Sequence, residues 1–158
     1  MPSKRQPSRG MGFARPRQPR PEDKSSMGQS SPKAIAYRTA FMAIAAEPFA
    51  TVIAFYQRFL DQAPNPLTPD RYGEFQLGPM RLGIFRPQPN HVSEFSAASS
   101  GPLSLCLEVP NLEAAIAQVQ AAGGACLPDD IILTSHGREV YAYDPVGNRL
   151  ILHEGFLS

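Results

Sequence analysis

Cysteine is scarce: Cys106 and Cys126 are the two in 158 residues, and they form no CxxC pair. That argues against a disulfide framework and fits a reducing, cytoplasmic compartment. Long hydrophobic runs are missing too. Hydrophobic residues make up 42 % of the chain, yet no stretch nears the length of a membrane span. The expectation is a soluble protein, large enough for one domain with a core. The N-terminus lacks the apolar segment of a signal peptide, so none is expected. Residues 1–33 hold one Phe and no Ile, Leu or Val. Such a segment has little to bury against an ordering cost of about 1–2 kcal/mol per residue. Residues 1–35 are therefore expected to form a disordered arm.

The arm is also short of acid. It carries eight Lys/Arg against Glu22 and Asp23, a balance of +6, while the rest of the chain sets seven Arg against twelve Asp/Glu, a balance of −5. A basic arm on an acidic body admits three uses. It could be a solubilising tail, or an organelle transit peptide, although no amphipathic helix is evident. It could also let residues 1–33 contact an anionic partner, whether RNA, an acidic protein or a membrane surface.

From residue 36 onward one pattern is written twice. YRTAFMAIAAE (37–47) is β-like, and in PFATVIAFYQRFLDQ (48–62) Phe49, Val52, Ile53, Tyr56 and Leu60 recur at helical spacing. Strand candidates follow at 71–78 and 79–86, then a polar connection over 87–102. In LSLCLEV (103–109), Leu103, Leu105, Leu107 and Val109 alternate with Ser104, Cys106 and Glu108, the period of a half-buried strand. Asn111 suits the cap of a helix over 112–124, which Gly123 and Gly124 end. Strand candidates ACLP (125–128) and DIILTS (130–135) precede the hairpin YAYDPVGNRLILHE (141–154). Its DPVGN turn has a proline preset for the bend, residues that tolerate φ > 0, and Asp144 to cap it. Setting Phe41 opposite Ser104 brings Phe49 onto Leu112 and Ile53 onto Ile116. The predicted fold is α+β, with two βαβββ halves, about 37–86 and 103–156, in one domain over 36–158. Ile53, Tyr56, Ile116 and Val119 should lie beneath the helices.

CLEVPNLEAAIAQVQAAGGA, HGREVYAYDPVGNRLILHE and the first-half helix IAFYQRFL together resemble the vicinal oxygen chelate superfamily, the glyoxalase, bleomycin-resistance and extradiol-dioxygenase proteins. The resemblance covers roughly 37–156. It implies a half-open, mixed-sheet barrel around a central pocket with helices outside, and frequently a homodimer. It also implies a divalent metal on four inward His, Glu or Gln side chains. Matched by spacing, those positions hold Phe41, Gly83, Ser104 and Ile151. Phe and Ile have no donor, Gly has no side chain, and a lone serine hydroxyl is a poor ligand. Neither metal nor another cofactor is expected.

Strand alternation then gives the pocket face. The expected ligand-binding residues are Phe41, Arg81, Phe85, Ser104, Cys106, Glu108, Tyr141, Tyr143, Ile151 and His153, with Arg149 and Ala43 on the same face. Each has a plainer role beside it. His153 could simply hydrogen-bond its neighbours, and Glu108 with Arg81 could form a structural ion pair. Cys106 reads as a buried filler, and Tyr141 and Tyr143 as ordinary strand aromatics. His91 and Glu94 suit a surface loop, His136 a turn. No residue is assigned a catalytic role.

Three functions fit. The first is a metal-independent module holding a small amphipathic ligand between the halves. The second is an interaction protein whose arm engages an anionic partner. The third is a lyase, isomerase or dioxygenase with displaced ligands, or a metal-free acid–base catalyst using Glu108 and His153.

Overall fold

Each half opens on a four-residue strand that feeds directly into an eleven-residue helix: β1 (Met42–Ala45) into α1 (Phe49–Phe59), and β5 (Leu105–Glu108) into α2 (Leu112–Ala122). The computed structural model describes residues 35–96 and 101–156, so residues 1–34 of the expected arm lie outside the described residues. The first half continues with β2 (Leu67–Thr68), β3 (Tyr72–Leu77) and β4 (Met80–Phe85). The second continues with β6 (Ile132–Leu133), β7 (Gly137–Tyr143) and β8 (Arg149–Gly155). Both belong to one compact unit, Arg38–Ser158.

The sheets are two mixed, four-stranded copies of one plan, ordered β1-β4-β3-β2 and β5-β8-β7-β6. In each, the opening strand runs parallel to the last strand of its half, and the remaining pairs are antiparallel. The register makes the repeat literal. Ala43 faces Gly83 across β1 and β4, and Cys106 faces Ile151 across β5 and β8, so Gly83 and Ile151 are equivalent positions. Among the described residues the sheets do not close into a barrel.

Helix faces explain why each sheet is covered on one side. Phe49, Val52, Ile53, Phe55, Tyr56 and Phe59 of α1 are buried, as are Leu112, Ala115, Ile116, Val119 and Ala122 of α2. They meet Phe75, Leu82, Ile84, Leu105, Val140, Ala142, Leu150 and Leu152 from the strands in one core. Each large side chain so buried contributes about 1.5–3 kcal/mol. Asn111 caps α2 by accepting from Ala114 N at 2.7 Å, and Gly123 ends it at φ 97°. Arg58 of α1 donates to the Ala122 carbonyl at 2.7 Å, joining the helices at that end. No helix among the described residues is long and apolar enough to cross a membrane.

Several expected strands are shorter than their patterns. The ladder between β5 and β8 begins at Leu105↔Leu150, so Leu103 precedes it, is not held over the core, and stands 81 % exposed. ACLP is not a strand. Ala125 exchanges both backbone hydrogen bonds with Tyr143 at 2.8 Å, and Pro128–Asp130 then forms a 3-10 turn. The polar connection holds another, Pro89–Phe95. The closing hairpin turns on Asp144. Its carboxylate is 3 % exposed and accepts from Val146 N, Asn148 N and Asn148 Nδ2 at 3.0, 2.9 and 2.7 Å.

Candidate functional site

The strand residues not covered by helices make up an open face on each sheet. On the first, Ala43, Gly83 and Glu74 lie in one row, flanked by Tyr72, Ala45 and Phe85 and by Arg81 and Gln76. Glu74 organises this face. It accepts from the Tyr72 hydroxyl at 2.7 Å and from Arg81 Nη1 at 2.9 Å. The Arg81 guanidinium in turn sits over the Phe41 ring, 4.7 Å from its centroid. Burial, and then the bond to Glu74, push the Tyr72 phenol up to about 12. That bond and the Arg81 charge hold the Glu74 carboxyl below its ordinary value. Arg81 therefore pairs with Glu74 and not with Glu108. Tyr72 and Glu74 were absent from the expected site. The signal was present in RYGEFQLG, where Tyr72, Glu74 and Gln76 alternate with buried or half-buried Gly73, Phe75 and Leu77.

On the second sheet Cys106, Tyr141 and Ile151 share one row, and Glu108, Glu139 and His153 the next. His153 is buried, and its Nδ1 lies 2.6 Å from Glu108 Oε2, while Glu108 Oε1 accepts from Gly155 N at 2.9 Å. These contacts, His153 first, lower the Glu108 carboxyl from its ordinary value. The His136 and His153 rings lie 4.8 Å apart, tilted by 31°. His153 Nε2 is buried with no partner among the described residues, packed against Gly137. Cys106 is exposed rather than a buried filler, because the open face of β5 is uncovered there. Partial desolvation, then the Glu108 and Glu139 charges, raise its thiol pKa, which opposes a nucleophilic role. His91 and Glu94 pair at 2.8 Å on the exposed 3-10 turn.

Two clefts share Leu103, Ser104 and Arg149 at their rims. One, of about 390 Å³, runs between β1 and the approach to β5, with Met42, Ala43, Ile44 and Phe95 on its apolar walls. The other, of about 450 Å³, extends over Tyr141 and Ile151. Arg149 is held where they join: Nε donates to Ser104 Oγ at 2.6 Å and Nη2 to the Gly101 carbonyl at 2.7 Å. Of the ten expected pocket residues, Ser104, Tyr141 and Ile151 line these clefts. Phe41 and Arg81 belong to the Glu74 cluster, and Phe85 meets Phe95 edge-to-face at 5.1 Å. Cys106, beside Ile151, and Tyr143, opposite Arg149, line neither cleft, and Glu108 and His153 lie one row farther along the second sheet.

The four positions matched to metal ligands do not fit a divalent ion. A side chain at Gly83 would run into the Tyr72 hydroxyl and the Phe41 ring, and Ser104 Oγ is taken by a guanidinium. Ile151 and Phe41 offer no donor, and Arg81 lies over the Phe41 ring. No group of three His, Cys, Asp or Glu among the described residues is placed to hold a metal.

No protein-family model matches the chain, and no curated protein matches it. Solved structures do. A glyoxalase-related enzyme from Fulvimarina pelagi superposes with a TM-score of 0.60 at 20 % identity, covering 76 % of this chain and 89 % of its own. A glyoxalase/bleomycin resistance protein/dioxygenase family enzyme from Burkholderia phytofirmans gives 0.58 at 14 % identity, with 73 % and 97 % covered. The bleomycin-binding protein of bleomycin-producing Streptomyces verticillus, solved with copper(II)-bleomycin, gives 0.52 at 20 % identity, with 77 % and 99 % covered. The chain has the fold of the glyoxalase and bleomycin-resistance proteins, that of the vicinal oxygen chelate superfamily.

Proposed function

We propose that this protein is a metal-independent binding module that takes a small amphipathic ligand in the clefts beside Arg149. The observation that carries the reading is an apolar cleft of about 390 Å³, walled by Met42, Ala43, Ile44 and Phe95, with Arg149 fixed at its rim. Apolar walls with a few oriented polar groups are the usual make-up of a ligand site. The bleomycin-binding neighbour supports it at the level of fold. The reading includes a cytoplasmic setting, supported by the free thiols Cys106 and Cys126, and a homodimer, supported by the exposed apolar side chains Leu103, Phe41 and Tyr141.

The test is a thermal-shift screen of small amphipaths on the full-length protein, alone and with added divalent metals. A ligand at 100 times its Kd stabilises by about 2.7 kcal/mol, which shifts the melting temperature visibly. Stabilisation by an amphipath without metal, lost when Ala43→Trp fills the cleft, is the expected result. Stabilisation by metal alone, or by no amphipath, would overturn the reading.

Charge favours a second reading for the arm, whose balance of +6 contrasts with −5 in the rest of the chain. A contact with RNA, an acidic protein or an anionic membrane through residues 1–33 would weaken steeply with salt, because each neutralised cation releases counterions. Full-length and arm-deleted proteins compared across a salt series decide it. Equal binding by both would leave the arm a solubilising tail.

A further inference from the structure

Three arginines among the described residues are half-buried: Arg81, Arg138 and Arg149. Arg81 is neutralised by Glu74, and Arg138 by Glu113 and Glu154. Arg149 has no such partner among the described residues, since its two bonds go to a neutral hydroxyl, Ser104 Oγ, and a neutral carbonyl, that of Gly101. A guanidinium drawn partly out of water without a counter-charge is costly, and here it borders a largely apolar cleft. The bonds that hold it also orient it. Nε and Nη2 make up one edge of the planar group and are spent on the anchors. The opposite edge, between Nη1 and Nη2, keeps two parallel N–H groups, the geometry that receives both oxygens of a carboxylate.

We propose that the ligand carries a carboxylate, received by the Nη1–Nη2 edge of Arg149, with an apolar body lying along Met42, Ile44 and Leu103. This rests on the reading that the clefts hold a small ligand, and it names that ligand's chemical class. A monoanion fits better than a dianionic phosphate ester. One cation is available, and the Glu94 carboxylate, bound to His91, stands on the wall of the same cleft. The same charge pattern disfavours no neutral ligand sterically, so the prediction is one of preference, and it is set by the oxyanion.

The experiment uses the full chain and three probes with one tail and different heads: 4-phenylbutanoate, 4-phenylbutanamide and 4-phenylbutylamine. Binding is followed by calorimetry and by amide chemical shifts. A charge-assisted bidentate pair should make the carboxylate bind about tenfold tighter than the amide, with the amine weakest. Arg149→Gln should abolish the carboxylate's advantage while leaving amide binding in place, and Arg149→Lys should restore only part of it. Because Arg149 variants also release Ser104 and Gly101, the three-probe ranking on the unaltered protein decides independently. Equal binding of carboxylate and amide would sink this proposal and leave the cleft reading standing. Binding of none of the three, with no hit in the wider screen, would sink both.

Discussion

A β-carbon built on Gly83 lies 2.9 Å from the Tyr72 hydroxyl oxygen and 3.3 Å from the Phe41 ring. The space where the matched position would carry a ligand is thus filled from two other places in the chain. Gly83→Ala must displace the Tyr72 ring, and with it the 2.7 Å bond to Glu74. Overpacking of this kind costs about 1–3 kcal/mol, partly offset by the smaller entropy of the unfolded chain. In a Tyr72→Phe background the hydroxyl is gone and the cost should shrink. Denaturant titration of both singles and the double gives the coupling. Additive effects would mean that Tyr72 does not fill the site.

Tyr72 should be visible by pH. Its phenol, pushed up to about 12, stays neutral in the fold past the point where a free tyrosine ionises, about 10. A group raised on folding stabilises below its unfolded value and loses that contribution as pH climbs through its folded one. Stability should therefore fall between these two values. Ultraviolet titration should show a tyrosinate phase near 12 that disappears in Tyr72→Phe. Glu74 works in the opposite direction. Its lowered carboxyl stabilises above the ordinary carboxylate range and is lost as pH falls. Glu74→Gln should flatten the acid limb of the stability profile.

The two-fold pattern was legible because hydrophobic spacing alone sets helix and strand faces. Phe49 on Leu112 and Ile53 on Ile116 follow from it, and both helices have those residues buried at those places. Buried Phe55 and Phe59 escaped because the apolar face of α1 is wider than the stripe of Phe49, Val52, Ile53, Tyr56 and Leu60, and these two residues lie along its flank. β2 is two residues long, too short for alternation to register, while the equally short β6 falls inside the strand candidate DIILTS. Side-chain partners were harder still. Arg81 could reach Glu74 or Glu108 on periodicity alone, and only the β3–β4 register, Gln76 opposite Arg81 and Glu74 opposite Gly83, brings Glu74 to it. Arg149 could be placed on the open face, but its anchor at Gly101 depends on a loop that no pattern describes.

The closing hairpin should depend on Asp144 far more than on Pro145. The buried Asp144 carboxylate satisfies the backbone N–H groups of Val146 and Asn148 and the Asn148 amide. Asp144→Ala leaves donors without partners, at about 1–3 kcal/mol each where they remain buried. Tyr56 also points its hydroxyl at this carboxylate, but at a long 3.4 Å, so Tyr56→Phe should cost less than Asp144→Ala. Urea denaturation of the two variants ranks them, and the reverse order would place the stabilising contact at Tyr56.

His153 should be found as the tautomer with its proton on Nδ1. An ionised carboxylate can only accept, and Glu108 Oε2 lies 2.6 Å from that nitrogen, so while the ring is neutral Nε2 must be the bare one. That agrees with a buried Nε2 facing Gly137 with no acceptor among the described residues. Long-range proton–nitrogen correlation spectra of the imidazole distinguish the two nitrogens directly. The pair also makes a prediction for Glu108, whose carboxyl is lowered chiefly by this bond. In His153→Leu its carboxylate carbon should titrate closer to the ordinary glutamate value. With the folded pKa depressed, the contribution to stability exists above that ordinary value and fades as pH falls, so the variant should lose less stability on acidification than the parent. A protonated Nε2 in the neutral ring, or an unchanged Glu108 titration in His153→Leu, would show that the two side chains merely lie side by side.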